Sequence, residues 1–268
     1  TLQTARSYKP GRVMVLFQPH RYSRTHKLAD DFGKTLQAAD LVFVTDIYAA
    51  SEDPIPGVSG QTIVDAILAN GSTKAYFVPD LPTAHHAVGN NLAEGDLFLT
   101  LGAGNVHEAG NKIIRDLKVL EEIRNETKAS AIKLYEPMSR HSTMRVGGPA
   151  QFWIEPSEFR QLADSVSFCK ARGIPVRIVG RGSNLLIRDG GIRGAVIHPA
   201  GGAFAAVTVE GNTITAGVGV RFKKVASIAR EHGLGGFEWM EGIPGNVGGG
   251  LRMNCLLYTS PSPRDREK

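Results

Sequence analysis

The sequence predicts an α/β protein: a Rossmann-like domain followed by a second, α+β domain richer in strands. Between residues 12 and 126, short apolar runs alternate with segments whose apolar residues recur every three or four positions. That rhythm fades into a polar stretch from Asn125 to Ser142, beyond which strand-like runs predominate. A length of 268 residues is comfortable for two domains.

Val13-Met14-Val15-Leu16-Phe17 reads as a buried strand, and Leu28, Phe32 and Leu36 mark one face of a helix. Leu41–Val44 is the second strand, and Ile63, Ile67 and Leu68 lie on the second helix. Ala75–Val78 and Leu97–Leu101 give two further strands with a helix between them. A last helix from Val106 to about Glu126 carries Ile113, Ile114, Leu117 and Leu120. Such alternation implies a mostly parallel sheet with crossover helices.

In the second half, Phe152-Trp153-Ile154 reads as a strand, and Phe159 to Arg172 as a helix stopped by Gly173 and Pro175. Val176–Val179, Ala195–His198, Phe204–Val209 and Thr213–Ala216 are short strands, and a helix runs from about Arg221 to His232. The expected organisation is therefore 1–126, a linker at 127–141, a second domain at 142–254 and a tail at 255–268. The tail is polar and proline-bearing, so it is expected to be disordered.

Hydrophobic residues make up 42% and charged residues 21%, enough for a sizeable core. The net charge of +5 comes from scattered Lys and Arg, which with few aromatics argues against a nucleic-acid partner and suits anionic small molecules. Cys169 and Cys255 have neither disulfide nor metal-ligand spacing, which points to a reducing cytoplasm. No apolar run approaches the ~20 residues of a bilayer span, and no signal peptide is recognisable. The chain opens on Thr1 and is expected to be a fragment.

Two glycine-rich loops carry the strongest chemical signal: Gly180-Arg181-Gly182-Ser183-Asn184-Leu185 and Gly242-Ile243-Pro244-Gly245-Asn246-Val247-Gly248-Gly249. Glycine lets a backbone approach a ligand closely and present bare N–H groups, as a pyrophosphate requires. Arg145 and Gly147 lie in a third such turn and Gly219 in a fourth. The alternative is tight turns between sheet elements, but the repetition favours a dinucleotide-type cofactor.

In the first domain, His20, Arg21 and Arg24 follow the first strand and lead into a helix. Open α/β sheets place ligands at that edge. Two arginines at a helix N-terminus suit a carboxylate or phosphate, although capping and turn chemistry would use the same residues. Asp46 ends the second strand on the same edge, and Leu99–Asn105 the fourth. His85-His86 and His107-Glu108 lack a third ligand at suitable spacing, so no metal is expected.

Residues about 1–126 resemble the C-terminal domain of the UDP-N-acetylmuramate–L-alanine ligase family. The motifs are FQPHRYSRT at 17–25, DDF at 30–32, DIYAASEDPIPG at 46–57 and LTLGAGN at 99–105. The resemblance implies a domain closing over ATP and Mg, with His20, Arg21, Arg24 and Asp46 toward L-alanine or phosphate. Residues about 130–254 resemble the FAD-binding part of the UDP-N-acetylenolpyruvoylglucosamine reductase family, through HSTMRVGGPA at 141–150, GRGSNLLIRDGG at 180–191 and GIPGNVGG at 242–249.

That second resemblance implies the truncated flavin-binding fold shared with vanillyl-alcohol-oxidase-like proteins. It also implies non-covalent FAD, NADPH as reductant and a UDP-sugar substrate. The implied cofactor residues are Arg145, Gly147, Gly180, Arg181, Gly182, Ser183, Asn184, Leu185, Gly219, Ile243, Pro244, Gly245, Val247, Gly248 and Gly249. The ligase's phosphate loop and the reductase's GSxFxNP-type serine segment are not in the sequence. The expectation is a fragment of a bifunctional peptidoglycan-precursor enzyme, inactive by itself. A non-catalytic ligand-binding scaffold and a flavin-dependent oxidase of the same fold stand as alternatives.

Overall fold

The computed structural model describes residues 1–253, and the expected tail at 255–268 lies outside the described residues. The chain divides into two compact units, Thr1–Lys118 and the residues from Val119 onward.

The first unit opens with helix α1 (Leu2–Ser7), then alternates β1 (Val13–Gln18), α2 (Tyr22–Leu36), β2 (Leu41–Val44), α3 (Gly60–Asn70), β3 (Lys74–Phe77), α4 (Leu81–Gly89) and β4 (Leu97–Gly102). The sheet order is β3-β2-β1-β4, and every pairing is parallel. Val13, Val15, Phe17, Val42 and Val44 pack with Leu36 of α2 and with Ile63, Val64 and Ile67 of α3. Met14, Leu16 and Phe43 alternate with that set and are buried too, so both faces of the sheet are covered. The strands therefore read as continuous apolar runs.

Three helix faces differ from the expected ones. Leu28 is half-exposed because α2 is interrupted there, at φ −114° and ψ 16°. Thr25, Gly33 and Leu36 form the buried stripe. Leu68 of α3 is exposed while Val64 is buried. Helix α5 (His107–Thr127) buries Ile113, Leu120 and Ile123, leaving Ile114 and Leu117 on its outer side. In each case an apolar residue sits one position off the true stripe, and only tertiary packing decides which position faces in.

In the second unit, β5 (Ala131–Pro137) pairs antiparallel with β6 (Pro149–Glu155). Helix α6 (Phe159–Ala171) leads to β7 (Val176–Ile178), and β8 (Ile192–Ile197) lies between β6 and β7, parallel to both. A 3₁₀ turn at Gly202–Ala205 precedes the hairpin β9 (Val207–Glu210) and β10 (Thr213–Ala216). Helices α7 (Phe222–Glu231) and α8 (Val247–Met253) complete the described chain.

Within the stretch 127–141, expected as a linker, residues 131–137 form β5, an edge strand of this sheet. Leu134 and Tyr135 are buried there, and polar residues such as Lys133 and Glu136 masked the strand pattern. Phe204, expected in a strand, sits buried in the 3₁₀ turn. The core beneath the site loops is Met138, Ala150, Trp153, Val179 and Val196.

Candidate functional site

The two glycine loops of the second unit meet. The Ser183 hydroxyl donates to the carbonyl oxygen of Pro244 at 2.9 Å. The short parallel strand β7 delivers the first loop, and the turn before α8 delivers the second. Gly182 has a φ of 69°, and a side chain there would run into the His141 carbonyl oxygen. Its own carbonyl accepts from the Thr143 N–H at 3.3 Å. The segment 140–143 is thereby pinned against the first loop.

Between these elements lies a cavity of about 480 Å³, lined by Arg140, His141, Ser142, Thr143, Arg145, Gly180, Arg181, His198, Ala200, Gly219, Arg221 and Asn246. Four guanidinium groups around one opening favour a ligand with more than one negative charge. Among the described residues, none of the N–H groups from Gly180 to Asn184 donates a hydrogen bond. The first loop thus offers bare backbone donors beside the arginines.

The second loop does so only in part: among the described residues the N–H groups of Gly242, Gly245, Asn246 and Gly249 donate no hydrogen bond, but others are committed. The N–H groups of Val247, Gly248 and Gly250 donate to the carbonyls of Val220, Val218 and Asn246 at 2.8, 2.9 and 3.0 Å. Gly248 faces Val218 so closely that a Cβ would stand 2.8 Å from the valine side chain. Those glycines let α8 dock on the strand-end turn, and Asn246 is the loop residue that reaches the cavity. The second loop therefore commits the Ile243, Val247 and Gly248 amides and leaves its others free.

Of the expected cofactor residues, Arg145, Gly180, Arg181 and Gly219 line the cavity, while Gly182 and Ser183 brace it. The Gly219 N–H is spent on the Phe204 carbonyl at 2.8 Å, so this residue contributes close approach rather than a donor. Gly147 packs on Ile187, away from the lining. Asn184, Leu185, Ile243, Pro244, Gly245, Val247 and Gly249 do not line it. Arg140, His198 and Arg221 do, although no local pattern in the sequence pointed to them, and so does His141, which opens the HSTMRVGGPA motif but was not singled out. His198 and Arg221 arrive from the end of β8 and the start of α7, which only the fold brings together.

Beneath the cavity lies Glu136, which is nearly fully buried. Its carboxylate meets His141 Nε2 at 2.9 Å, Lys133 at 3.3 Å and Arg140 at 3.8 Å. Burial alone would raise its pKa. The hydrogen bond from His141 and the Lys133 ammonium outweigh that and hold it below the usual glutamate range. The His141 ring stacks on the buried Trp153 at 3.9 Å.

In the first unit, His20, Arg21, Ser23, Arg24, Lys27 and Leu28 line an open cavity of about 520 Å³. The carboxyl ends of β1, β2 and β4 do converge, as expected. His20 bridges Tyr48 in parallel fashion and stacks on its ring at 5.9 Å. Arg21 takes a φ of 66° and ψ of 141°, unusual for a side-chain-bearing residue, and its N–H donates to the Tyr48 carbonyl at 2.9 Å.

Two expectations change here. The start of α2 is already met by a carboxylate: Glu52 accepts from the Ser23 N–H at 3.0 Å and from its hydroxyl at 2.7 Å. Those bonds lower the Glu52 pKa, the backbone one most. The helix dipole is therefore partly satisfied, and attraction for a further anion rests on the side chains of Arg21, Arg24 and Lys27. Asp46 is not in the cavity lining. Its Oδ1 accepts from the N–H groups of Ile47 and Gly60 at 2.9 and 3.4 Å, fixing the turn into α3.

Comparison with known families adds to this geometry. Residues 1–104 match the model of the Mur ligase glutamate ligase domain, and residues 150–263 match that of an FAD binding domain. The chain is 41% identical over 134 residues to a UDP-N-acetylenolpyruvoylglucosamine reductase of Desulforamulus reducens, covering 50% of this chain and 44% of that protein. It is 44% identical over 127 residues to a reductase of the same name from Clostridium kluyveri, covering 47% of this chain and 41% of that protein. It is also 47% identical over 128 residues to a UDP-N-acetylmuramate–L-alanine ligase of Solibacter usitatus, covering 48% of this chain and 26% of that protein. The chain thus spans less than half the length of each of these relatives.

Proposed function

From a chain that carries a Mur ligase segment followed by an FAD-binding segment, we propose that the second unit holds FAD non-covalently as part of a UDP-N-acetylenolpyruvoylglucosamine reductase. The observation that carries this reading is the cavity of the second unit, where Gly180 and Arg181, whose N–H groups donate to no described protein group, line the wall together with Arg140, Arg145 and Arg221. A diphosphate diester satisfies that donor set.

Bound there, FAD would supply hydride-transfer chemistry for reduction of a UDP-sugar enolpyruvyl group at the expense of NADPH. This chain's own residues bind and orient the cofactor. Arg145, Arg181 and Arg221 neutralise the diphosphate, and Gly182 with Ser183 sets the backbone of the loop. Tight orientation of this kind supplies the entropic part of a rate enhancement.

The first unit is proposed to serve a UDP-N-acetylmuramate–L-alanine ligase, with His20, Arg21 and Arg24 meeting a carboxylate or phosphate. The phosphate loop expected for ATP and Mg is not among the chain's residues, so no step through ATP is assigned to them. In this reading the chain belongs to cytoplasmic, bifunctional peptidoglycan-precursor synthesis and binds its cofactor without turning over either substrate. Among the described residues no helix is long and apolar enough to cross a membrane.

Titration of the purified chain with FAD and with riboflavin tests the proposal. FAD is expected to bind about tenfold or more tightly than riboflavin, which lacks the diphosphate. Equal affinities, or no uptake of FAD, would count against it.

A further inference from the structure

Two histidines line the cavity of the second unit, and their hydrogen bonds fix which ring nitrogen carries the hydrogen in each. A carboxylate can only accept, so the His141 bond to Glu136 places a hydrogen on Nε2. A carbonyl can only accept, so the His198 bond to the Val179 oxygen at 2.8 Å places one on Nδ1. In the neutral state each ring therefore keeps a lone pair on its other nitrogen, which repels phosphate oxygens. Only protonation turns that atom into a donor.

The two rings differ in what stands behind them. His198 leans on an uncharged carbonyl, whereas His141 leans on the buried carboxylate of Glu136, which balances a positive ring. The His141 ring cannot swing aside, because it is stacked on Trp153 on one side and tied to Glu136 on the other. The remaining charged groups around it are Lys133 and Arg140 beside Glu136, with Arg145, Arg181 and Arg221 across the cavity. A diphosphate bound among those guanidinium groups would bring negative charge to the cavity that His141 lines.

We propose that His141, held by Glu136, takes up a proton as the diphosphate of FAD binds and donates from Nδ1 to a phosphate oxygen. The inference rests on the flavin reading of this site and adds a binding residue to it. Glu136 is a positioning residue that acts through His141 and Arg140. The balance is simple: one proton moves from solvent to His141 Nδ1, and the phosphate diester carries none before or after.

Titration calorimetry of the full chain with FAD near neutral pH, in buffers of different ionisation heat, counts that proton. The expected result is a substantial fraction of one proton taken up per FAD. Affinity should weaken by up to tenfold per pH unit on the alkaline side. Uptake should vanish in His141→Gln, shrink in Glu136→Gln and persist in His198→Asn.

Binding without proton uptake, or uptake that survives in His141→Gln, overturns the inference while leaving the flavin site standing. An absence of FAD binding at every pH removes both. Should His141→Gln fail to fold, the ring-nitrogen resonances of the unaltered complex decide. Two protonated nitrogens on His141 support the inference, and an Nδ1 lone pair overturns it.

Discussion

His85 shows how a residue dismissed as a ligand still matters physically. It is buried on α4, its ring 4.1 Å from that of His86, and desolvation is the main reason its pKa falls to about 4. The neighbouring His86 and Lys112 push the same way, and Asp116 opposes them. An unfolded histidine titrates near 6.5, so the unfolded chain binds this proton more tightly than the folded one. Stability is therefore complete above about pH 6.5 and is lost as pH falls toward 4, by up to roughly 3 kcal/mol. Chemical denaturation of the first unit at several pH values checks this, and His85→Gln should flatten the slope across that window. Glu136, with its lowered pKa, contributes a loss of the same sign at lower pH. Neither effect was legible in the sequence, because both depend on what the fold buries around one side chain.

At the scale of elements, the two glycine loops look alike in sequence and do different work. The first keeps its amides unspent, whereas the second commits those of Val247 and Gly248 to docking α8. Gly182 is the residue on which the first loop turns, since its φ of 69° and the nearby His141 carbonyl leave no room for a side chain. Gly182→Ala should cost about 1–3 kcal/mol of stability and weaken FAD binding by tenfold or more. Thermal melting and flavin titration of the variant measure the two effects separately. Retained affinity would mean that the loop does not shape the site.

The helices taught the opposite lesson. Their presence was evident from apolar spacing, and the ends expected for α6 and α7 lie within one residue of those observed. The inward face slipped by one residue at Leu28, Leu68 and Ile114. Strand β5 was missed because an edge strand carrying Lys133 and Glu136 lacks the apolar density of a buried one.

For the whole molecule, a net charge of +5 is modest, and what matters is where the charge gathers. Four arginines ring one cavity in the second unit, and Arg21, Arg24 and Lys27 border another in the first. Because these sites are open to solvent, salt screens them: the Debye length shrinks from about 10 Å at 0.1 M to about 3 Å at 1 M. FAD affinity is therefore expected to fall several-fold between those salt concentrations while riboflavin affinity barely changes. Fluorescence titrations of both ligands at the two concentrations test it.

Taken alone, the order of residues determined most of the element types, the parallel character of the first sheet and the glycine-rich candidates. Each of these follows from periodicity and backbone freedom, which are local properties of the chain. Tertiary structure decided which amides stay unspent, that Glu52 occupies the start of α2, and that Arg140, His141, His198 and Arg221 share one cavity. Those facts depend on strand order and on partners far apart along the chain, where hydrogen-bond competition is resolved only once the backbone has closed on itself.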